Sequence, residues 1–209
     1  MNRLLAALCD DLASAPWGKR FFANELLKEE ETLAWLGQGE VEGWLNLPRR
    51  AWVRETRFPG LWYIQEENCA YLEVGSLPSL LLEAGERGEK ALCPPMPEGL
   101  MNAPGLLVEA LEHTVLDEPF QVNLALLPLN QADHLFLEHV LQDEARLVLR
   151  GYGETLAEKT IFSRLWRLRF YNVHGNLVLD ALEVAKVPEI FAATIEDWQT
   201  SQKELLHLT

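Results

Sequence analysis

Hydrophobic and polar side chains alternate with a period of two over residues 145–152, 165–171 and 177–184, the pattern of strands that bury one face. Ahead of them, 121–129 reads as a strand. Asn130 reads as the N-cap of a helix running to 141, because its side chain can accept amide hydrogens that a first helical turn leaves free. Pro188 suits a helix start, where a missing amide hydrogen costs nothing, and 190–206 continues as an amphipathic helix. This stretch reads β-α-β-β-β-α. The earlier part of the chain predicts a helix near 23–36, strands near 41–45, 52–56, 61–65 and 70–74, and a short helix after Pro78, with no clear opening strand. Between the two parts, residues 83–104 are dense in glycine and proline and read as a linker, followed by a helix over 105–116.

The two parts also resemble each other residue by residue. Leu33, Glu40, Phe58, Leu61 and Trp62 match Leu137, Glu144, Phe162, Leu165 and Trp166 at a constant offset of 104. Glu73 and Pro78 match Glu183 and Pro188 at an offset of 110, the shift falling where Asn172-Val173-His174-Gly175-Asn176 signals a lengthened hairpin. The expected architecture is therefore α+β, with two pseudo-symmetric repeats whose antiparallel sheets are covered by helices on one face. Residues 1–82 hold an N-terminal helix and the first repeat, 83–118 the linker with its helix, and 119–209 the second repeat.

Composition narrows the function classes. The 209 residues are 48% hydrophobic and 24% charged, a globular balance that excludes wholesale disorder. The net charge of −14 disfavours nucleic acid and anionic membranes as partners, since phosphates are repelled. That charge is uneven: residues 1–149 carry 11 basic and 24 acidic side chains, residues 150–209 only 7 and 8. The longest central run without a charge, 119–132, has 14 residues and two prolines, too short to span a bilayer. Asp10 and Asp11 end the apolar run 4–9 before it reaches signal-peptide length, so a cytoplasmic protein is expected. Cys9, Cys69 and Cys93 are odd in number and widely spaced, the signature of reduced thiols rather than a disulfide framework.

Catalytic spacing is not found. His134 and Glu138 share a helical face, but no third ligand or H-E-x-x-H arrangement accompanies them. Gly75-Ser76-Leu77 lacks the second glycine of a nucleophile elbow, and Gly151-Tyr152-Gly153 lacks the remainder of a phosphate loop. The reading is therefore a binding protein, not an enzyme, with no cofactor and no metal. Its partner-binding candidates are Arg164, Arg167 and Arg169 around Trp166, with Gly151, Tyr152 and Gly153 shaping the adjacent edge. Arg167 and Arg169 lie two apart on a strand and so project from one face, a docking surface for acidic groups of a partner. Of the seven tryptophans, Trp62 and Trp166 are assigned to the core by the repeat, and Trp44 and Trp52 to partner contact.

The segments VNLALLPL at 122–129, RGYG at 150–153, LWRLRFYN at 165–172, LVLDALEVAKVP at 177–188 and ATIEDWQTSQKEL at 193–205 together resemble the HupH/HyaF family of hydrogenase expression proteins. RFPGLWYI at 57–64 and YLEV at 71–74 are similar to it as well. The resemblance implies an accessory, chaperone-like role in maturing a nickel–iron hydrogenase. It further implies binding of the iron–sulfur small-subunit precursor or other maturation proteins, with no nucleic acid and no stable membrane insertion. Its alternative is a regulatory or scaffold module with a different client. One departure stands out: where family members typically carry a cysteine after GYG-x, this chain has Thr155, which cannot supply a thiolate.

Overall fold

The computed structural model describes residues 10–21, 30–46, 49–88 and 96–207. Part of the helix expected near 23–36, together with Cys9, Cys93 and the Pro94-Pro95 pair of the linker, lies outside the described residues. Ten strands form one antiparallel sheet: β1 (Arg20–Phe21), β2 (Val41–Leu45), β3 (Ala51–Glu55), β4 (Leu61–Glu66), β5 (Ala70–Val74), β6 (Phe120–Asn123), β7 (Asp143–Arg150), β8 (Gly153–Thr160), β9 (Leu165–Asn172) and β10 (Leu177–Val184). Their order is β1-β5-β4-β3-β2-β7-β8-β9-β10-β6. Two meanders thus meet at β2 and β7, and each outer edge is closed by a short strand that precedes its meander in sequence. β1 is the opening strand that the pattern alone does not reveal.

The helices are α1 (Glu30–Leu36), α2 (Ser79–Glu86), α3 (Ala103–Leu116), α4 (Gln131–Val140) and α5 (Ile195–His207). They lie over both faces of the sheet, whereas the alternation predicts one. The reason is that central strands are apolar on both sides: in β4, Trp62 and Ile64 face one way and Leu61 and Tyr63 the other, all buried. One face packs Trp62, Ile64, Trp166 and Leu168 under Leu80, Leu81 and Ala84 of α2 and under Phe191. The opposite face is covered in two places. Leu36 of α1 and Trp198 and Leu205 of α5 lie on Leu61 and Leu72 at one end, and α3 and α4 lie on Leu165 and Leu182 at the other. Between those helix pairs the middle strands present charged side chains interspersed with Trp44, Trp52, Val148 and Leu156.

Matching positions in the two meanders make matching bonds. The indoles of Trp62 and Trp166, both fully buried, donate to the carbonyls of Gly75 and Ala185 at 2.9 and 3.1 Å, acceptors that stand 110 residues apart. The hydroxyls of Thr56 and Thr160 each accept the amide two residues on, from Phe58 and Phe162, at 3.2 Å.

Three local expectations differ. The strand expected over 121–129 ends at Asn123, whose side chain accepts the Ala125 amide at 3.0 Å and turns the chain into a short 3-10 turn at Leu124–Leu126. The helix expected over 190–206 is split into a 3-10 turn at Glu189–Phe191 and α5. Thr194 and Asp197 form reciprocal hydrogen bonds that cap α5 and fix its start at Ile195. β8 is an additional strand between two predicted ones. Asn130 does cap α4, in a reciprocal box with Asp133.

A candidate protein-binding face

The middle of the second face, which no helix covers among the described residues, is built by strand register. Trp52, Trp44, Arg146, Glu158 and Arg167 stand in one row across β3, β2, β7, β8 and β9, because each is the cross-strand partner of the next. The neighbouring row runs Arg54, Glu42, Val148, Leu156 and Arg169. Trp44 is 44% exposed, and Trp52 beside it is half-buried. Arg54 is stacked between Trp52 and Tyr63, its guanidinium carbon 5.2 and 5.1 Å from the two ring centroids. A cavity of about 470 Å³ at the edge of this patch is lined by Trp44 and Trp52 together with Arg50, Gln65 and Glu66.

Arg146, Arg150, Arg167 and Arg169 on this face are held by carboxylates of the same chain. Arg167 is only 7% exposed and grips Asp180 with two nitrogens at 2.8 and 2.7 Å, with Glu138 of α4 at 3.4 Å. Burial would lower its pKa, but the Asp180 carboxylate outweighs that and pushes it up, so this arginine is a fixed cation inside the fold. Arg169 and Arg146 both bond Glu158, and Arg150 bonds Glu42. Arg167 and Arg169, expected as a free docking pair, are thus held in a cross-strand ion-pair lattice, beside which Trp44 is exposed and Trp52 half-buried.

The remaining candidates separate. Arg164 sits in the turn before β9, outside that lattice's strand register, with φ +61 and its guanidinium on Asp117. Gly151 and Tyr152 make the β7–β8 hairpin, where Tyr152 is 99% exposed. Gly153 opens β8 where a Cβ would come within 2.3 Å of the Tyr171 carbonyl, so this glycine permits close strand approach, while Gly151 has open space around it. Neither glycine has positive φ.

Several buried titratable groups lie on the first face. Lys159, fully buried, donates to the carbonyls of Thr160 and Phe162 at 2.6 Å each, and burial lowers its pKa to about 8 against the opposing pull of Glu144. Glu55, at the equivalent position 104 residues earlier, is pushed up by burial despite the amide hydrogen bonds it accepts. Among the described residues, no three His, Cys, Asp or Glu side chains gather in a way that could hold a metal ion. Thr155, the position where the resemblance leads one to expect cysteine, is buried in β8 and lines a separate cavity with Leu168, Phe170 and Glu183. That cavity was not legible in the sequence, because it depends on β6 lying beside β10.

Comparison with known proteins finds relatives of this chain. The model of the HupH hydrogenase expression protein, C-terminal conserved region, matches residues 100–209. The hydrogenase expression/formation protein HupH of Rhodobacter capsulatus is 34% identical over 174 residues, 79% of this chain and 63% of that protein. HoxQ of Azotobacter vinelandii, also a hydrogenase expression/formation protein, is 33% identical over 81% of this chain and 65% of its own length. The hydrogenase-1 operon protein HyaF of Escherichia coli strain K12 is 30% identical over 95% of this chain and 71% of that one. The chain thus spans a little under two-thirds of the length of the first two. A solved structure, the hydrogenase expression protein HupH from Thiobacillus denitrificans ATCC 25259, is 27% identical and covers 51% of this chain and 93% of its own, with a TM-score of 0.48.

Proposed function

Because the chain belongs to the HupH family of hydrogenase expression proteins, we propose that it is a noncovalent accessory protein in nickel–iron hydrogenase maturation, and that its client is the iron–sulfur small-subunit precursor. The observation that carries the binding role is the Trp44–Trp52 pair, adjacent across β2 and β3 on a sheet face that no helix covers among the described residues. Large amphipathic rings on rigid strands anchor interfaces with little loss of conformational entropy. The ion-pair lattice beside them keeps the sheet face flat and polar, with its charges already compensated. Buried groups that could do chemistry elsewhere are engaged in structure, as Lys159 is with two carbonyls. This supports binding rather than catalysis.

Co-purification from a hydrogenase-producing cell under reducing, anaerobic conditions tests the reading. The small-subunit precursor is expected with the parent chain, and Trp44→Ala with Trp52→Ala should reduce its recovery at least about tenfold, the loss of one hot-spot cluster. Recovery of a different protein in its place, or full recovery by the folded double variant, contradicts it.

A further inference from the structure

The two meanders treat one inward-facing carboxylate differently. Glu73 of β5, 4% exposed, stands opposite Arg20 of β1 in the sheet register. Arg20 Nε donates to it at 3.2 Å, the guanidinium stacks 5.6 Å from the Tyr71 centroid and also bonds Ser79 Oγ, and Ser79 donates its amide and hydroxyl to Glu73 at 2.9 and 3.1 Å. The first meander therefore meets its own carboxylate with its own cation.

In the second meander the same position, 110 residues on, is Glu183 of β10, and its register partner on β6 is Gln121. Tyr71 becomes Ala181 and Ser79 becomes Glu189 at the same offset. Glu183 accepts the neutral Gln121 amide at 3.4 Å, and no cation pairs with it among the described residues. Exchange of Arg, Tyr and Ser for Gln, Ala and Glu leaves a cavity of about 790 Å³, walled by Leu168, Phe170, Leu179 and Ile190 with Glu183 and Glu189. Ile190 is 57% exposed where its counterpart Leu80 is 4%, so this wall faces solvent. Burial pushes the Glu183 carboxyl up, and the nearby charge of Glu189 adds to it.

We propose that this cavity receives an arginine side chain from a partner polypeptide, its guanidinium bridging Glu183 and Glu189 and its methylenes lying against Phe170 and Leu179. The first meander supplies the pattern, since Arg20 bridges Glu73 and Ser79 over an aromatic ring. Arginine suits the site better than lysine: its planar fork reaches two acceptors at once, and it sheds water more readily on entering an apolar-walled space. The chain's net charge of −14 draws basic segments toward it. The site is distinct from the Trp44–Trp52 patch, which lies on the opposite sheet face, and it does not depend on which client binds there.

The test uses the full chain and the capped peptide acetyl-Val-Arg-Val-amide, followed by backbone amide NMR, beside the same peptide with uncharged citrulline in place of arginine. The arginine peptide should shift the amides of Phe170, Glu183 and Ile190 saturably, and the citrulline peptide should bind about tenfold more weakly, as expected on losing a charged hydrogen-bonding group. Gln121→Arg places the first meander's cation opposite Glu183 and should abolish the saturable shifts in a folded chain. Glu183→Gln should weaken binding by about the same factor, and Glu189→Gln, at an exposed turn, provides the same reading if Glu183→Gln does not fold. Equal binding of the two peptides, retained binding by folded Gln121→Arg, or identical shifts from Mg²⁺ alone with none from the peptide would overturn the assignment. No hydrogenase component enters this experiment, so its result is separate from that of the co-purification.

Discussion

Gly60 and Arg164 occupy the same turn position, 104 residues apart, and both hold left-handed backbone, with φ +83 and +61. Glycine bears this without strain, whereas an L side chain costs about 1–2 kcal/mol. At Gly60 a Cβ would also lie 3.2 Å from the Cβ of Trp198 in α5. Gly60→Ala should therefore lower unfolding stability by about 1–2 kcal/mol. Arg164→Gly relieves the backbone but loses a partly exposed ion pair with Asp117 of about 0–1 kcal/mol, and should stay within about 1 kcal/mol of the parent. Urea denaturation measures both, and an unchanged midpoint for Gly60→Ala would contradict the turn geometry. The matches Phe58/Phe162, Leu61/Leu165 and Trp62/Trp166 bracket this position, but they do not show that glycine stands at 60 for a steric reason. That requirement lies in φ, which residue spacing does not carry.

At the scale of elements, Asp133 ties two helices together. Fully buried at the third position of α4, it accepts the Asn130 amide at 3.0 Å and the Met101 and Ala103 amides at 2.9 and 3.2 Å, at the start of α3. Burial raises its pKa, but these amides outweigh the effect and hold it below the ordinary carboxylate value. A depressed folded pKa means that the stabilisation is present above the unfolded pKa and disappears as pH falls through the folded one. Asp133→Asn should cost about 2 kcal/mol at neutral pH, by loss of charge-assisted bonds, and should flatten the acid limb of stability below pH about 4. Denaturation across that range decides it, and an acid limb identical to the parent would contradict it. The Asn130 cap was legible because an N-cap acts within one turn. The contacts from Asp133 to 101–103 were not, because they link segments about thirty residues apart.

β8 shows the same limit for strands. Its sequence, GETLAEKT, carries charge at three of eight positions across both faces, and so gives no clear strand pattern. Glu158 is nevertheless buried under Arg146 and Arg169, and Lys159 under its two carbonyls. Cross-strand partners supplied by β7 and β9 make the strand possible, and those partners are tertiary facts. For the same reason Arg167 and Arg169 read as a free docking pair: period-two spacing gives the shared face, while Glu158 comes from β8, which the pattern does not show, and Asp180 is set opposite Arg169 by the register of the β9–β10 hairpin. β2, β5 and β10 were legible to the residue, each having strong β-formers and clear turn signals at both ends.

Across the whole molecule, one core runs under both meanders, from Val41 and Trp62 to Leu147 and Trp166. The C-terminal α5 packs on Leu61 and Phe58 of the first meander, and Gly85 of α2 lies so close to Lys186 that a Cβ would meet its carbonyl at 1.7 Å. The open face between the helix pairs is consequently a single surface made by both meanders, with Trp44 and Trp52 from one and Arg146 from the other. This is the surface proposed above for docking of the small-subunit precursor. Hydrogen–deuterium exchange of the intact chain, with and without the small-subunit precursor, tests it most directly. Protection is expected in β2 and β3 over 41–55 and in β7 over 143–150, slowing by at least about tenfold where the complex is saturated. Protection confined to α3, α4 and the β9–β10 hairpin, with β2 and β3 exchanging as in the free chain, would contradict it.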